Sequence, residues 1–372
     1  MNRFPALTAY AAILLALTAP LPARAQSRPA GSRVVVAYHN DFSRQAGKEW
    51  SQPTVARSPN DSASLLGPFG GETVSLSLTG LGKHAMVRLS VDVYAIGSWD
   101  GSAKTYGPDI WQIAVHNGPV LLRTTFGHKD HSREGQAFPG EYPEDQSPPM
   151  SGAMAVNSLG YLWQDRPTDA TYPLTLTFPH SGETLRLDFS AVFNTLGKDD
   201  ESWGLGSVRV ELLDRPEPLS QARLARLWEL LGDEDAGTSF WAMWALVGAG
   251  PDAAKFLDGQ LTGKLPPTRE VRALIAQLDD VEWNKREEAS KALAAYGAVV
   301  KPELLEAAGS VSLEVRSRVE ELLRTANQKS SAGEARRLGR AARALRLIRW
   351  QEPPLPTTVP ATAPATQPDR EP

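Results

Sequence analysis

Along this chain the rhythm of apolar and polar residues changes once. From about residue 33 to residue 213, apolar side chains fall at every second position in short runs. Beyond Asp214-Arg215-Pro216-Glu217-Pro218 they fall at every third or fourth. The stretch 199–213 shows the first rhythm best. An acidic turn of Asp199, Asp200 and Glu201 leads through Trp203, Gly204 and Gly206 into Val208, Val210 and Leu212, which alternate with Ser207, Arg209 and Glu211. Alternation of period two predicts a strand with one face buried, and the two prolines that follow, lacking N–H donors, end its ladder. Similar runs at 33–38, 73–78, 86–95, 110–115, 120–126, 174–178 and 184–189 are separated by Gly, Pro, Asn and Asp turns. About eight such strands predict two packed antiparallel sheets. The loop 127–157, rich in Pro, Gly and charge, is long enough to be either functional or disordered.

The second rhythm predicts helices. Ser220 caps a helix carrying Leu224, Leu227, Trp228 and Leu231, with Gly232 as its stop. Phe240, Trp241, Met243, Trp244 and Val247 mark a helix apolar around most of its circumference. Further helices are expected at 252–261, at 268–278 with Thr268 as the cap, and at 284–296, 302–308, 313–326 and 332–350. Short helices that cannot bury their apolar stripes alone predict an α-solenoid of paired helices.

Composition changes this picture at both ends of the chain. Arg3, an apolar run at 6–17 and Ala23-Arg24-Ala25 read as a secretory signal peptide cleaved near Ala25. The run is shorter than the roughly 20 residues of a membrane span, so an exported, soluble mature chain is expected, in the periplasm or outside the cell. From Gln351 the chain is rich in Pro, Thr and Ala, and a disordered tail is expected. There is no cysteine, which removes disulfides, thiol catalysis and thiolate metal sites. Residues 26–214 carry 15 Lys/Arg against 21 Asp/Glu, and residues 215–350 carry 21 against 19. Neither balance suits a nucleic-acid binder.

Two resemblances add to this. The segment 274–297, LIAQLDDVEWNKREEASKALAAYG, with Lys301-Pro302-Glu303-Leu304, Ser312-Leu313-Glu314-Val315-Arg316 and the earlier Ser239–Leu246, resembles a HEAT-like helical module known chiefly from planctomycete bacteria, often beside WD40 repeats. It covers most of 220–349 and implies a scaffold with no catalytic residues. Asn40-Asp41-Phe42, Leu66-Gly67-Pro68-Phe69-Gly70, Ser98-Trp99-Asp100-Gly101, Gly107-Pro108-Asp109-Ile110-Trp111 and Asp200-Glu201-Ser202-Trp203-Gly204 together are similar to a secreted concanavalin-like or jelly-roll sandwich family. Many jelly rolls of that kind hold a structural calcium between an Asp-Phe-Glu near the first strand and an Asp in the last. Here Ser43 and Gly206-Ser207 stand at those places, and both departures remove carboxylates.

Several residues carry candidate chemistry. Asp100, Asp109, Asp200 and Glu201 are the best set for a metal, since calcium takes carboxylate and carbonyl oxygens from irregular loops; the competing reading is four turn-capping acids. Trp99 and Trp163, each beside a polar loop, are candidate ligand-binding aromatics, whereas Trp111 and Trp203 read as core. His128 and His131 form an HxxH in what reads as a solvated loop. Arg336, Arg337, Arg340, Arg343, Arg346 and Arg349 read as the solvated face of the last helix. No G-x-S-x-G, Walker loop or H-E-x-x-H occurs, and no catalytic residue is assigned. The expectation is an exported protein: an all-β antiparallel sandwich at 33–214, a HEAT-like α-solenoid at 219–350 and a tail. It would bind a protein partner through the helices and a glycan or surface ligand through the sandwich loops, with no cofactor beyond a structural calcium. A glycoside-active enzyme and a purely structural envelope component are the alternatives.

Overall fold

The computed structural model describes residues 33–129, 135–143, 145–193, 199–326 and 332–350. The expected signal peptide, the tail and His131 lie outside them. Among the described residues no helix is long and apolar enough to cross a membrane.

The strands run β1 (Val34–Asn40), β2 (Val55–Arg57), β3 (Ser64–Phe69), β4 (Val74–Thr79), β5 (Met86–Gly97), β6 (Ile110–Val115), β7 (Val120–Thr125), β8 (Ala155–Val156), β9 (Leu162–Trp163), β10 (Arg166–Pro167), β11 (Asp169–Pro179), β12 (Thr184–Val192) and β13 (Glu201–Leu213). One antiparallel sheet has the order β2-β3-β13-β5-β11-β8, with β1 also paired to β13; a second has the order β4-β12-β6-β7. The strand ending at Leu213 is therefore central. It pairs with β3 and β1 along one edge and with β5 along the other, where Val210 lies opposite Leu89 and Glu201 opposite Gly97. A bulge at Gly206-Ser207 shifts that register. Gly206 lets the Tyr94 side chain lie close there, since a Cβ would stand 2.6 Å from its hydroxyl and 3.1 Å from the Asp92 Cβ.

The inward faces meet in a single apolar core. Trp203 and Leu205 of one sheet pack with Trp111, Ile113 and Phe189 of the other, and the Trp111 and Trp203 rings sit edge to face at 6.3 Å. The alternation read from β5, β12 and β13 is this burial pattern.

Downstream lie α1 (Gln221–Leu230), α2 (Ala236–Ala249), α3 (Pro251–Leu261), α4 (Thr268–Gln277), α5 (Trp283–Tyr296), α6 (Lys301–Ala307), α7 (Leu313–Thr325) and α8 (Ala332–Arg349). Ser220 caps α1 by accepting from Arg223 N–H. Thr268, expected as a cap, is instead the first helical residue, and Pro267 holds the cap position with no side-chain bond. The cores do not divide where the rhythm changes. Leu224, Leu227, Met243, Leu257 and Leu345 belong to the same buried cluster as the sandwich, whereas α4 to α7 form a second cluster around Leu293, Leu304, Val319 and Leu323.

The join between sandwich and helices corrects two expectations. Arg340 and Arg343 of α8 are buried, not solvated. Arg343 Nε donates to Glu141 Oε1 at 3.1 Å, and its Nη2 donates to the Val120 carbonyl. Lys301 Nζ lies 3.0 Å from the other Glu141 oxygen, and Arg340 Nη2 donates to Asp145 Oδ1 at 2.6 Å. The described part of the loop after β7 thus packs on the protein: its buried acids meet a helix that returns from the far end of the chain. Burial alone would raise the Glu141 carboxyl, but Arg343 and Lys301 bring it down to about 2.

Candidate functional site

The end of β5, the start of β6 and the start of β13 converge at one corner of the sandwich. Gly97 ends β5 with φ +94°, and a Cβ there would stand 2.0 Å from the Asp200 carbonyl. Glycine lets the two backbones touch, and Ser98 N–H donates to that carbonyl at 2.9 Å. Asp100 follows, and the turn folds back so that Asp109 N–H donates to Gly101 O at 3.0 Å while Asp100 N–H donates to Asp109 Oδ2. Carboxylate oxygens of Asp100, Asp109 and Glu201 come to within 4.8 Å of one another.

Asp109 is 0 % exposed and Glu201 1 %, while Asp100 is half-buried. Burial, with Glu201 and then Asp100 and Asp200 nearby, pushes the Asp109 carboxyl up to about 8. Burial and the Asp200 charge raise Asp100 to about 6. Desolvation and like charge both disfavour the ionised form, and here they act together. Asp109 Oδ1 is buried with no hydrogen-bond partner among the described residues.

Three of the four acids singled out from the sequence thus share one site. The fourth, Asp200, is outside the converging set: its Oδ1 accepts from Ser98 Oγ and from Trp163 Nε1, both at 2.6 Å. Trp163, half-buried on the β9–β10 hairpin, braces that acid. Trp99 offers no open face to a ligand. It is 1 % exposed, its indole N–H donates to the Ile96 and Ser202 carbonyls, and its ring meets Phe126 and Phe193 edge-on. Trp111 and Trp203 are core. His128 is buried, not solvated, with Nε2 3.2 Å from Asn157 Oδ1. Asp41, near the position where the jelly-roll resemblance implies calcium, accepts from Ser43 N–H and Oγ.

A second feature escaped the sequence reading. Helices α5 and α7 begin alike: Arg286 Nη1 donates to the carbonyls of Asp280 and Val281, and Arg316 Nη1 to those of Ser310 and Val311. Each arginine fixes a turn that holds a valine in solvent, Val281 at 94 % exposure and Val311 at 100 %, beside an exposed Trp283 and Leu313. Ser312 Oγ donates to Asp279 and Arg286 to Glu314, so the two turns are held side by side.

No protein-family model matches the chain, and no curated protein matches it at a significant level. Among solved structures the chain is similar to dimeric latent PorU from Porphyromonas gingivalis, with 10% identity and a TM-score of 0.26 over 49% of this chain and 13% of that one. It is similar to the C-terminal CBM6 of LamC, a marine laminarinase from Zobellia galactanivorans, with 10% identity and a TM-score of 0.20 over 48% and 98%. A mutant Emp46p carbohydrate recognition domain gives 13% identity and a TM-score of 0.22 over 46% and 97%. The chain spans only a small part of the PorU structure, and likenesses at these scores say nothing of function.

Proposed function

We propose that this is an exported, non-catalytic binding protein in which a β-sandwich is rigidly joined to HEAT-like paired helices that dock a protein partner. The observation that carries the reading is the apolar edge of Val281, Trp283, Val311 and Leu313. Contiguous exposed apolar side chains on a soluble surface mark interaction sites, and these are held in place by arginine-to-carbonyl bonds instead of being left on loose loops. Around that edge four acids, Asp279, Asp280, Glu282 and Glu314, stand beside four basic residues, Lys285, Arg286, Arg316 and Arg318, and Lys285, Arg286 and Arg318 are paired with those acids. A partner presenting apolar side chains with no strong charge of its own complements it.

The buried position of Asp109 and Glu201 supports the non-catalytic reading. A glycosidase needs its two carboxylates on either side of a polymer in a cleft, and a sugar chain does not reach acids this enclosed. Of the two tryptophans named from the sequence for ligand binding, Trp163 is the one with surface left for a glycan. The test is capture from an envelope extract by immobilised wild type and by the pair Val281→Asp with Val311→Asp. Specific proteins lost from the double variant support the reading. An unchanged set, or turnover of a polysaccharide by the pure protein, refutes it; concentration-dependent dimerisation lost in the variant would replace the outside partner with a second copy.

A further inference from the structure

We infer that Asp100, Asp109 and Glu201 form a binding site for a hard divalent cation of the calcium class, which ties the turn between β5 and β6 to the first residue of β13. Calcium takes six to eight oxygens at about 2.3–2.6 Å, so two oxygens on one ion lie no more than about 5 Å apart. The three carboxylates already meet that limit, at 4.8 Å or less. The converging donors are all carboxylates. Zinc and copper favour imidazole and thiolate, and magnesium keeps its waters and demands a stricter octahedron, so this set suits calcium best.

A second observation points to the same place. Asp109 is fully buried, yet its Oδ1 has no hydrogen-bond partner among the described residues, and its other oxygen is reached only by the Asp100 N–H. A buried polar atom left in that state requires a ligand or costs stability. Neither Asp100 nor Asp109 forms an ion pair with a lysine, arginine or histidine among the described residues. Asp100 is half-buried, so the cluster meets solvent through it, and water would complete the coordination. The site is separate from the apolar helix edge, and neither inference depends on the other.

The experiment uses the mature chain stripped with a chelator and dialysed. Its melting is followed in calcium, in magnesium and in neither, and terbium is added as a luminescent stand-in for calcium. Trp99 adjoins Asp100, so excitation of tryptophan should sensitise a bound terbium ion. At a hundredfold excess over its Kd, calcium raises the folding equilibrium constant about a hundredfold, a midpoint rise of roughly 4 °C. Asp109→Asn and Glu201→Gln should each abolish both the rise and the luminescence. If Asp109→Asn does not fold, Glu201→Gln and the wild-type terbium signal decide the matter. A folded wild type with no calcium shift and no terbium luminescence overturns the inference, and so does a shift that survives in both variants, which would report an adventitious ion only.

Discussion

Two clusters of buried acid sit in the same protein and have opposite electrostatics. Glu141 and Asp145 are met by Arg343, Lys301 and Arg340, and the Glu141 carboxyl falls to about 2. Asp100, Asp109 and Glu201 crowd together with a fourth acid nearby, and the Asp109 carboxyl climbs to about 8. Burial is common to both; a cation meets Glu141 and Asp145, and none meets Asp100 or Asp109 among the described residues. A buried acid with its own cations holds the fold together, whereas a buried acid without them needs either a proton or an ion from solution. The first cluster joins two parts of the chain, and the second is the one we propose as a receptor.

The largest effect should come from the paired cluster. Glu141→Gln leaves Arg343 and Lys301 buried without a counter-charge, and breaking a buried pair from one side typically costs about 3–5 kcal/mol. Denaturant unfolding measures it. A loss below about 1 kcal/mol would mean that the join between sandwich and helices does not depend on this acid, and the comparison would lose one of its sides.

How far this was legible in the sequence depends on distance along the chain. Along β12, the first half of β5 and the second half of β13, fully buried positions alternate with more open ones, so alternation reveals them. β3, SLLGPF, is buried or half-buried at every position and shows no alternation, and β2 has three residues. The acids of the candidate site stood out as glycine-flanked aspartates beside tryptophans. Which of them converge is set by the pairing of Glu201 with Gly97 across the sheet, a register that no local pattern records. α8 was misread for a related reason. Six arginines suggest a solvated face, yet Arg340 and Arg343 lie three apart on a stripe continued by Ala344 and Leu347. The spacing was visible, but the acids that pay for the burial lie about 200 residues upstream.

Acid should separate the clusters next. The Glu141 carboxyl is held below its ordinary value of 4.5, so its contribution is complete above that pH and is lost as pH falls toward about 2. The loss should approach about 3 kcal/mol, each pKa unit being worth about 1.4 kcal/mol. Melting between pH 5 and pH 2 should show it as a falling midpoint, shallower in Glu141→Gln. Parallel curves for the two proteins would show that other acids govern the transition.

The smallest expected effect is also the sharpest comparison, because it makes the same acid-to-amide change in the other cluster. In cation-free protein at neutral pH, folding must force a proton onto Asp109, whose carboxyl is raised to about 8, and Asp109→Asn removes that cost while placing an amide N–H beside the neighbouring acids. Where Glu141→Gln destabilises, Asp109→Asn should stabilise, by about 1–2 kcal/mol, the usual scale for an unsatisfied buried polar group. With calcium at saturation the order should invert, since the wild type gains from binding and the variant does not. Chemical unfolding of both proteins, with chelator and with calcium, gives the four values needed. A variant less stable than the wild type in chelator would show that Asp109 is satisfied without an ion, and the two clusters would then differ in location but not in kind.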